Sequence, residues 1–385
     1  MAAVTKSLSF GITASTTYEQ PFTLARRFAT LDHLTNGRVA WNIITSYLEN
    51  AARNLGFSTQ VPHDERYKIA DEYLQVFYKL LEGSWRDDAA IKSQITKQYA
   101  DPNRIRRIDH KGKYFSVAGP HAVEPSRQRT PFIFQAGTSS AGKDFAVNNA
   151  EAMFVPGMDV DLLRASISDI RARAAKAGRN PDSIKFIMGI TVIVDETDEK
   201  AQAKYEEYLG YADLEGSAAL FGGWTGTDIS KFGDDEDLSL ATSGGVRGIV
   251  DAWSATIPGS KTIRWNKERV ARELAIGGAH GRAIGGPKTV ADILERWIEG
   301  TGADGFNLGY AVSPGGFEDM IKYLWPELRR RGLFHEDYEV PGGTTRENYS
   351  GDGLGSRLRD DHPGSRYKWQ AGQDLPPYTK DEQLA

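Results

Sequence analysis

The chain has 385 residues, no cysteine and a formal net charge of −5. Its length suits one large α/β domain or two ordinary ones, and it can bury a sizeable core. Without cysteine there are no disulfides, thiolate catalysis or cysteine-based metal sites, and a mild charge without basic runs argues against nucleic-acid binding. No apolar stretch approaches a membrane span, and the amino end lacks the apolar segment of a secretory signal. A soluble, cytoplasmic protein is the expectation.

The first predicted strand, residues 7–13, runs into Thr13, Ser15, Thr16 and Thr17. Pro21 suits the first turn of a helix. Phe22, Leu24, Ala25, Phe28, Ala29 and Leu31 then form an apolar stripe, with Arg26, Arg27 and Asp32 off it. Asn36-Gly37 stops that helix, and residues 39–45 form the next strand, with Asn42, Thr45, Ser46 and Tyr47 toward its end. This is a βαβ unit, and hydroxyls past a strand's carboxyl end are where parallel α/β sheets build ligand sites. Any βαβ unit with ordinary loops would show the same pattern. A long helix begins near His63-Asp64, its face made by Tyr67, Ala70, Tyr73, Leu74, Phe77, Leu80 and Leu81. Residues 83–130 are irregular apart from a small strand pair around Lys111-Gly112.

Residues 131–135 read as a buried strand, followed by a small-residue loop, 136–142, and a helix to Ala150. Free backbone N–H groups, the helix dipole and hydroxyls converge there, which suits a phosphate; a capped helix without ligand is the alternative. Strands follow at 152–155 and 184–194, with helices at 162–175 and 197–211. Residues 212–286 interrupt the rhythm and read as an insertion without an obvious core, with helical candidates at 245–255 and 263–275. Trp224, Trp253 and Trp265 fit either a pocket wall or core packing. A helix at 289–299, a strand at 304–308 and a helix at 317–331, bent or split by Pro326, complete the pattern. From residue 338 the chain reads as an extended tail over the surface. His280, before a Gly-rich loop, is a candidate proton carrier or a solvated loop histidine. No HxxxH or HExxH pair supports a zinc site. The Gly-x-Gly of residues 351–356 follows no strand and opens no helix, so no nicotinamide fingerprint is present.

The run TYEQPFTLARRFATLDHLTNGRVAWNIITSYLENAARNLGF resembles flavin-dependent monooxygenases of the bacterial luciferase superfamily. Within it, the resemblance is to the group of nitrilotriacetate monooxygenase component A, dibenzothiophene-sulfone monooxygenase and long-chain alkane monooxygenase. It implies an α/β fold, a TIM-type (β/α)8 barrel over residues 1–337 with an insertion at 212–286 before the last strand and a tail at 338–385. Six parallel strands are legible where such a barrel has eight. The expectation is that the first two βα units are missing at the amino end, through an incomplete gene reading, a truncated protein or a partner that fills the gap.

The resemblance also implies a chemistry. FMN, as FMNH2 from a separate NAD(P)H:flavin reductase, reacts with O2 to give a flavin C4a-peroxide that oxygenates a small organic substrate. Carried over to this sequence, Thr13, Thr45 and Tyr47 stand beside the flavin ring, and Tyr67 with Gly137, Thr138 and Ser139 holds the phosphate. Asn42 either contacts the flavin or points into the barrel. Tyr47 stands where some relatives carry a histidine. A homo-oligomer is the family expectation. Two other readings stay open: a truncated, non-catalytic flavin-binding remnant, and an unrelated barrel hydrolase or isomerase that uses the loop for a phosphorylated substrate.

Overall fold

The computed structural model describes residues 1–157, 159–240, 249–250, 253–254, 264–351, 353 and 355–373. These fall into two compact units, one of Met1–Met153, Ile170–Lys185 and Asp337–Ala385, the other of Phe154–Asp169 and Phe186–Glu336.

In the first unit β1 (Phe10–Ser15), α1 (Pro21–Thr35) and β2 (Val39–Ile44) form a parallel βαβ crossover. Pro21 opens α1, and Asn36 (φ 55°) and Gly37 (φ 85°) end it in the left-handed region, Gly37 N–H donating to the Asp32 carbonyl at 2.8 Å. α2 (His63–Leu81) packs beside α1 on the same face of the sheet. Their apolar stripes meet Trp41, whose ring lies 4.8 Å from Phe77 and 5.6 Å from Phe28. Strand alternation therefore turns Trp41 and Ile43 toward the helices and Asn42 to the other face. β2 continues into β3 (Phe132–Gln135), which is followed by α3 (Ser140–Asn149) and β4 (Ala152–Pro156), again in parallel pairing. The small strand pair is present as His110–Lys111 against Ser116–Val117.

Residues 338–373 do not merely lie over the surface. Thr344 caps a short helix, Thr345–Ser350, with a complete capping box, and Thr345 N–H donates to the Gly37 carbonyl at 2.8 Å. Arg346, Leu358, His362 and Trp369 are buried. Tyr349 packs on Phe132 and Phe134, with ring centroids 5.1 and 5.2 Å away. Charged and polar anchors, unreadable from periodicity, draw this segment into the unit.

His362 is one such anchor and makes stability depend on pH. Its Nδ1 accepts from Gly364 N–H at 3.0 Å, so Nε2 carries the proton and donates to the Asn149 carbonyl at 3.0 Å. Burial, reinforced by the nearby Arg179 cation, pushes its pKa down to about 4. The unfolded chain protonates this imidazole near the ordinary value of about 6.5, so stability is full above that pH and is lost as pH falls toward 4, by roughly 3 kcal/mol. Urea midpoints between pH 7 and 4.5 should fall more steeply for the parent chain than for His362→Gln; equal slopes would contradict this.

In the second unit β5 (Lys185–Val194) lies between β6 (Gly281–Gly285) and β7 (Gly305–Gly309), all parallel: Ile190 stands opposite both Gly281 and Leu308. β6 falls inside the stretch read as an insertion, because a Gly-rich strand carries little β signal. α4 (Val160–Lys176) precedes β5 in the chain and α5 (Asp198–Gly210) follows it, and the stretch read as an insertion without an obvious core has one. α6 (Leu214–Thr225) and α7 (Lys267–Ala275) enclose Phe221, Ile229, Leu238, Val270 and Leu274, with Trp253 and Trp265 stacked 5.5 Å apart. Those two tryptophans are therefore core residues. Most of the helical candidate at 245–255 lies outside the described residues. Ahead of Pro326 the last helical run passes through a π turn at Met320–Leu324, which lets the chain continue despite the missing N–H.

Candidate functional site

The carboxyl ends of β2 and β3 and the amino ends of α2 and α3 surround a cleft of about 500 Å³, all within the first unit. On the β2 side hydroxyls knit the strand ends together. Thr17 Oγ1 donates to the Thr45 carbonyl at 2.6 Å, and Ser46 Oγ donates to Ser15 Oγ at 2.9 Å. Ser46 holds a φ of 56°, a left-handed conformation uncommon for a residue with a side chain, at the lip of the cleft. Tyr47 and Leu48 extend that lip and are exposed.

On the other side the loop after β3 leads into α3. Ser139 caps the helix, its Oγ accepting from Gly142 N–H at 3.1 Å. The other N–H groups of the first turn have no acceptor within the helix and carry the positive end of its dipole. Gly137 and Gly142 must lack side chains: a Cβ at Gly137 would fall 2.4 Å from the Tyr67 hydroxyl, and one at Gly142 2.8 Å from the Gly137 carbonyl oxygen. Tyr67 is wedged between His63 and Phe145, with ring centroids 5.2 and 5.8 Å away, so its hydroxyl is fixed against the loop. His63 reaches Asp64 Oδ1 through Nδ1 at 2.7 Å and Ser139 Oγ through Nε2 at 3.3 Å.

Two buried polar groups in the cleft wall lack partners. Gln135 is 3 % exposed and its Oε1 has no hydrogen bond among the described residues. Arg66 is 7 % exposed; it donates to the Val61 carbonyl, but its Nε is unmatched. Buried polar groups are nearly always paired, so both atoms are available to a ligand in the cleft. Two converging helix amino ends, several hydroxyls and a guanidinium are the donor set of a phosphate monoester.

A family model described as luciferase-like monooxygenase matches residues 1–305. The chain belongs to that family. It is 48 % identical to the dimethyl-sulfide monooxygenase of Hyphomicrobium sulfonivorans, over 96 % of this chain and 75 % of that protein. It is 46 % identical to the long-chain alkane monooxygenase of Geobacillus thermodenitrificans (strain NG80-2), over 96 % of this chain and 78 % of the other. A crystal structure of a riboflavin lyase with modified FMN and riboflavin superposes with a TM-score of 0.83 at 34 % identity, covering 95 % of this chain and 79 % of its own.

In this luciferase-like monooxygenase Thr45, Tyr47, Tyr67, Gly137, Thr138 and Ser139 all line the one cleft. Thr13 and Asn42 meet each other instead, Asn42 Nδ2 donating to Thr13 Oγ1 at 3.1 Å on the face opposite Trp41, and neither lines it. His280 lies in the second unit, where a Cβ on Gly189 would fall 2.7 Å from its Nδ1. Burial lowers the pKa of His280. Among the described residues no group of three or more His, Asp or Glu could hold a metal, and no helix is long and apolar enough to cross a membrane. Sequence reasoning missed His63, Arg66 and Gln135. The signal for the first two was their place in the opening turn of the helix that carries Tyr67.

Proposed function

We propose that this chain is the oxygenase of a two-component, FMNH2-dependent monooxygenase. It takes reduced flavin from an NAD(P)H:flavin reductase and uses O2 to oxygenate a small organic substrate. The observation that carries this reading is the cleft: a phosphate-sized donor set with unmatched buried partners, in a member of a monooxygenase family. The relatives' names point to a sulfide or an alkane as the substrate class. The family's (β/α)8 barrel is the architecture proposed for the parallel strands, with a cytoplasmic homo-oligomer as the assembly.

When bound, reduced FMN supplies the reaction with O2 and the transfer of one oxygen atom to the substrate. The protein's part is to bind, orient and exclude water. Tyr67, Thr138, Ser139 and the first N–H groups of α3 hold the phosphate, and Gly137 lets it approach the backbone. Thr45 and Tyr47 border the ring, with Thr13 and Asn42 stiffening the strand ends behind them. His280, whose pKa burial lowers, is proposed as a proton carrier.

The test is a coupled assay with a flavin reductase, NADH, FMN and ¹⁸O2, offering dimethyl sulfide and alkanes in turn. Product carrying one ¹⁸O atom, formed only with both reductase and FMN, is expected. Product formed without flavin would sink the reading.

A further inference from the structure

Residues 46–62 run from the carboxyl end of β2 to the amino end of α2, both of which border the cleft. Ser46, with its φ of 56°, turns the chain out of β2, and Pro62 leads it into α2. Between these ends the segment is held mainly by itself. It carries one short helix, Glu49–Asn54. The Glu49 carboxylate accepts from Gln60 N–H at 2.9 Å and from Thr59 Oγ1 at 3.4 Å, and it pairs with Arg53 at 3.2 Å. Phe57 N–H donates to the Ala52 carbonyl at 3.0 Å. The short helix makes no extensive contact with any other helix or strand among the described residues. Apart from the two ends, the hydrogen bonds and ring contacts that tie the segment to the rest of the unit converge there on one side chain, Tyr18. Its hydroxyl accepts from Gln60 Nε2 at 2.7 Å, and its ring stands edge-on to Phe57 at 5.5 Å. Tyr47, Leu48 and Ala51 line the cleft, and the first two remain exposed.

We infer that residues 46–62 form a strap that opens and closes over the cleft as one piece, with Tyr18 as its latch. A self-contained segment with few outside ties opens locally at far lower free energy than the whole unit unfolds. Closed, the strap sets Tyr47 and Leu48 over the cleft mouth and keeps water out; open, it lets the ligand pass. That this ligand is a flavin rests on the reading above, whereas the motion rests on the contacts of the strap alone.

Amide hydrogen exchange of the full chain, followed by mass spectrometry without ligand, tests the latch. Tyr18→Phe removes the hydroxyl and keeps the ring on Phe57. It should speed exchange in residues 47–60 by about three- to tenfold, the worth of one hydrogen bond, and leave β1, β2 and α1 as in the parent. Gln60→Ala should do the same, and adding Tyr18→Phe to it should change little, because the two residues share the bond. Unchanged exchange in Tyr18→Phe overturns the latch, and so does faster exchange across the whole unit, which would mean general loosening. Stopped-flow FMN binding tests the gate. In Tyr18→Phe association and dissociation should both quicken by the same factor, leaving the dissociation constant unchanged. A change in affinity with one rate unmoved would make Tyr18 a ligand contact and overturn the gate. A parent chain that binds no FMN overturns the flavin reading, and the exchange comparison then still upholds or overturns the latch.

Discussion

Arg346→Ala lowers the unfolding free energy by about 3–5 kcal/mol, enough to remove much of the stability of an ordinary domain. The side chain is 1 % exposed and is used by almost every donor it has. Its Nε and Nη2 donate to the two oxygens of Glu151 at 2.6 and 2.8 Å, Nη2 also to the Thr130 carbonyl at 3.0 Å, and Nη1 to the Ser356 carbonyl at 2.6 Å. Glu151 also accepts from Ile133 N–H at 3.1 Å, within β3, the strand that leads to the cleft. Burial works to raise the Glu151 carboxyl, but the Arg346 guanidinium more than offsets it and holds it below the usual carboxylate range. Removing the arginine strands that carboxylate in a dry site and frees the tail helix from β3. Replacing both charges, as Arg346→Met with Glu151→Leu, should recover much of the loss, because the cost comes from the unpaired charge. Guanidinium denaturation of the single and double variants measures this; a single variant within 1 kcal/mol of the parent would contradict it.

Gly137→Ala has the largest expected effect on the cleft. Its Cβ would stand 2.4 Å from the Tyr67 hydroxyl and 2.5 Å from Gln135 Nε2, both closer than atoms can approach. Tyr67 cannot retreat, held as it is between His63 and Phe145, so the loop must move and carry the α3 donors with it. Loss of one or more charge-assisted hydrogen bonds predicts FMN affinity lower by roughly tenfold to a hundredfold. Tyr67→Phe removes the nearer of the two clashing atoms, so adding Gly137→Ala to it should cost less than Gly137→Ala alone. Equilibrium titrations of the four proteins give this coupling. Strict additivity would mean that the loop does not rest on the Tyr67 hydroxyl.

The parts of the fold legible in the sequence were those governed by periodicity and turn chemistry. Pro21 and Asn36-Gly37 marked both ends of α1, β2, β3 and the longer β5 read clearly as apolar runs, and β7 as a short strand. β6 did not, since GRAIG has one large apolar side chain, Ile284, where β7 has Phe306 and Leu308. The insertion's core was hidden because its members, from Phe221 to Leu274, are spread through irregular chain rather than set at a regular spacing. Asp32 lay off the apolar stripe of α1 yet is fully buried, its carboxylate accepting from Gln128 N–H at 3.1 Å and Nε2 at 2.6 Å, a partner ninety-six residues away. Burial raises its pKa. Arg346 and His362 were illegible for the same reason: a polar residue is buried only where a distant group pairs with it, and no local pattern reports that. At the cleft the small-residue loop before α3 was readable from its local pattern, whereas Tyr67 entered only through the family resemblance. Gln135 became visible only once the structure set it in the cleft wall.

The cleft between α2 and α3 is proposed to hold reduced FMN by its phosphate. An anaerobic titration with photoreduced FMN, repeated in the presence of inorganic phosphate, tests it most directly. Saturable binding of one flavin per chain, weakened by phosphate, is the result the account predicts. Absence of binding, or binding that phosphate leaves untouched and Gly137→Ala does not disturb, would contradict it.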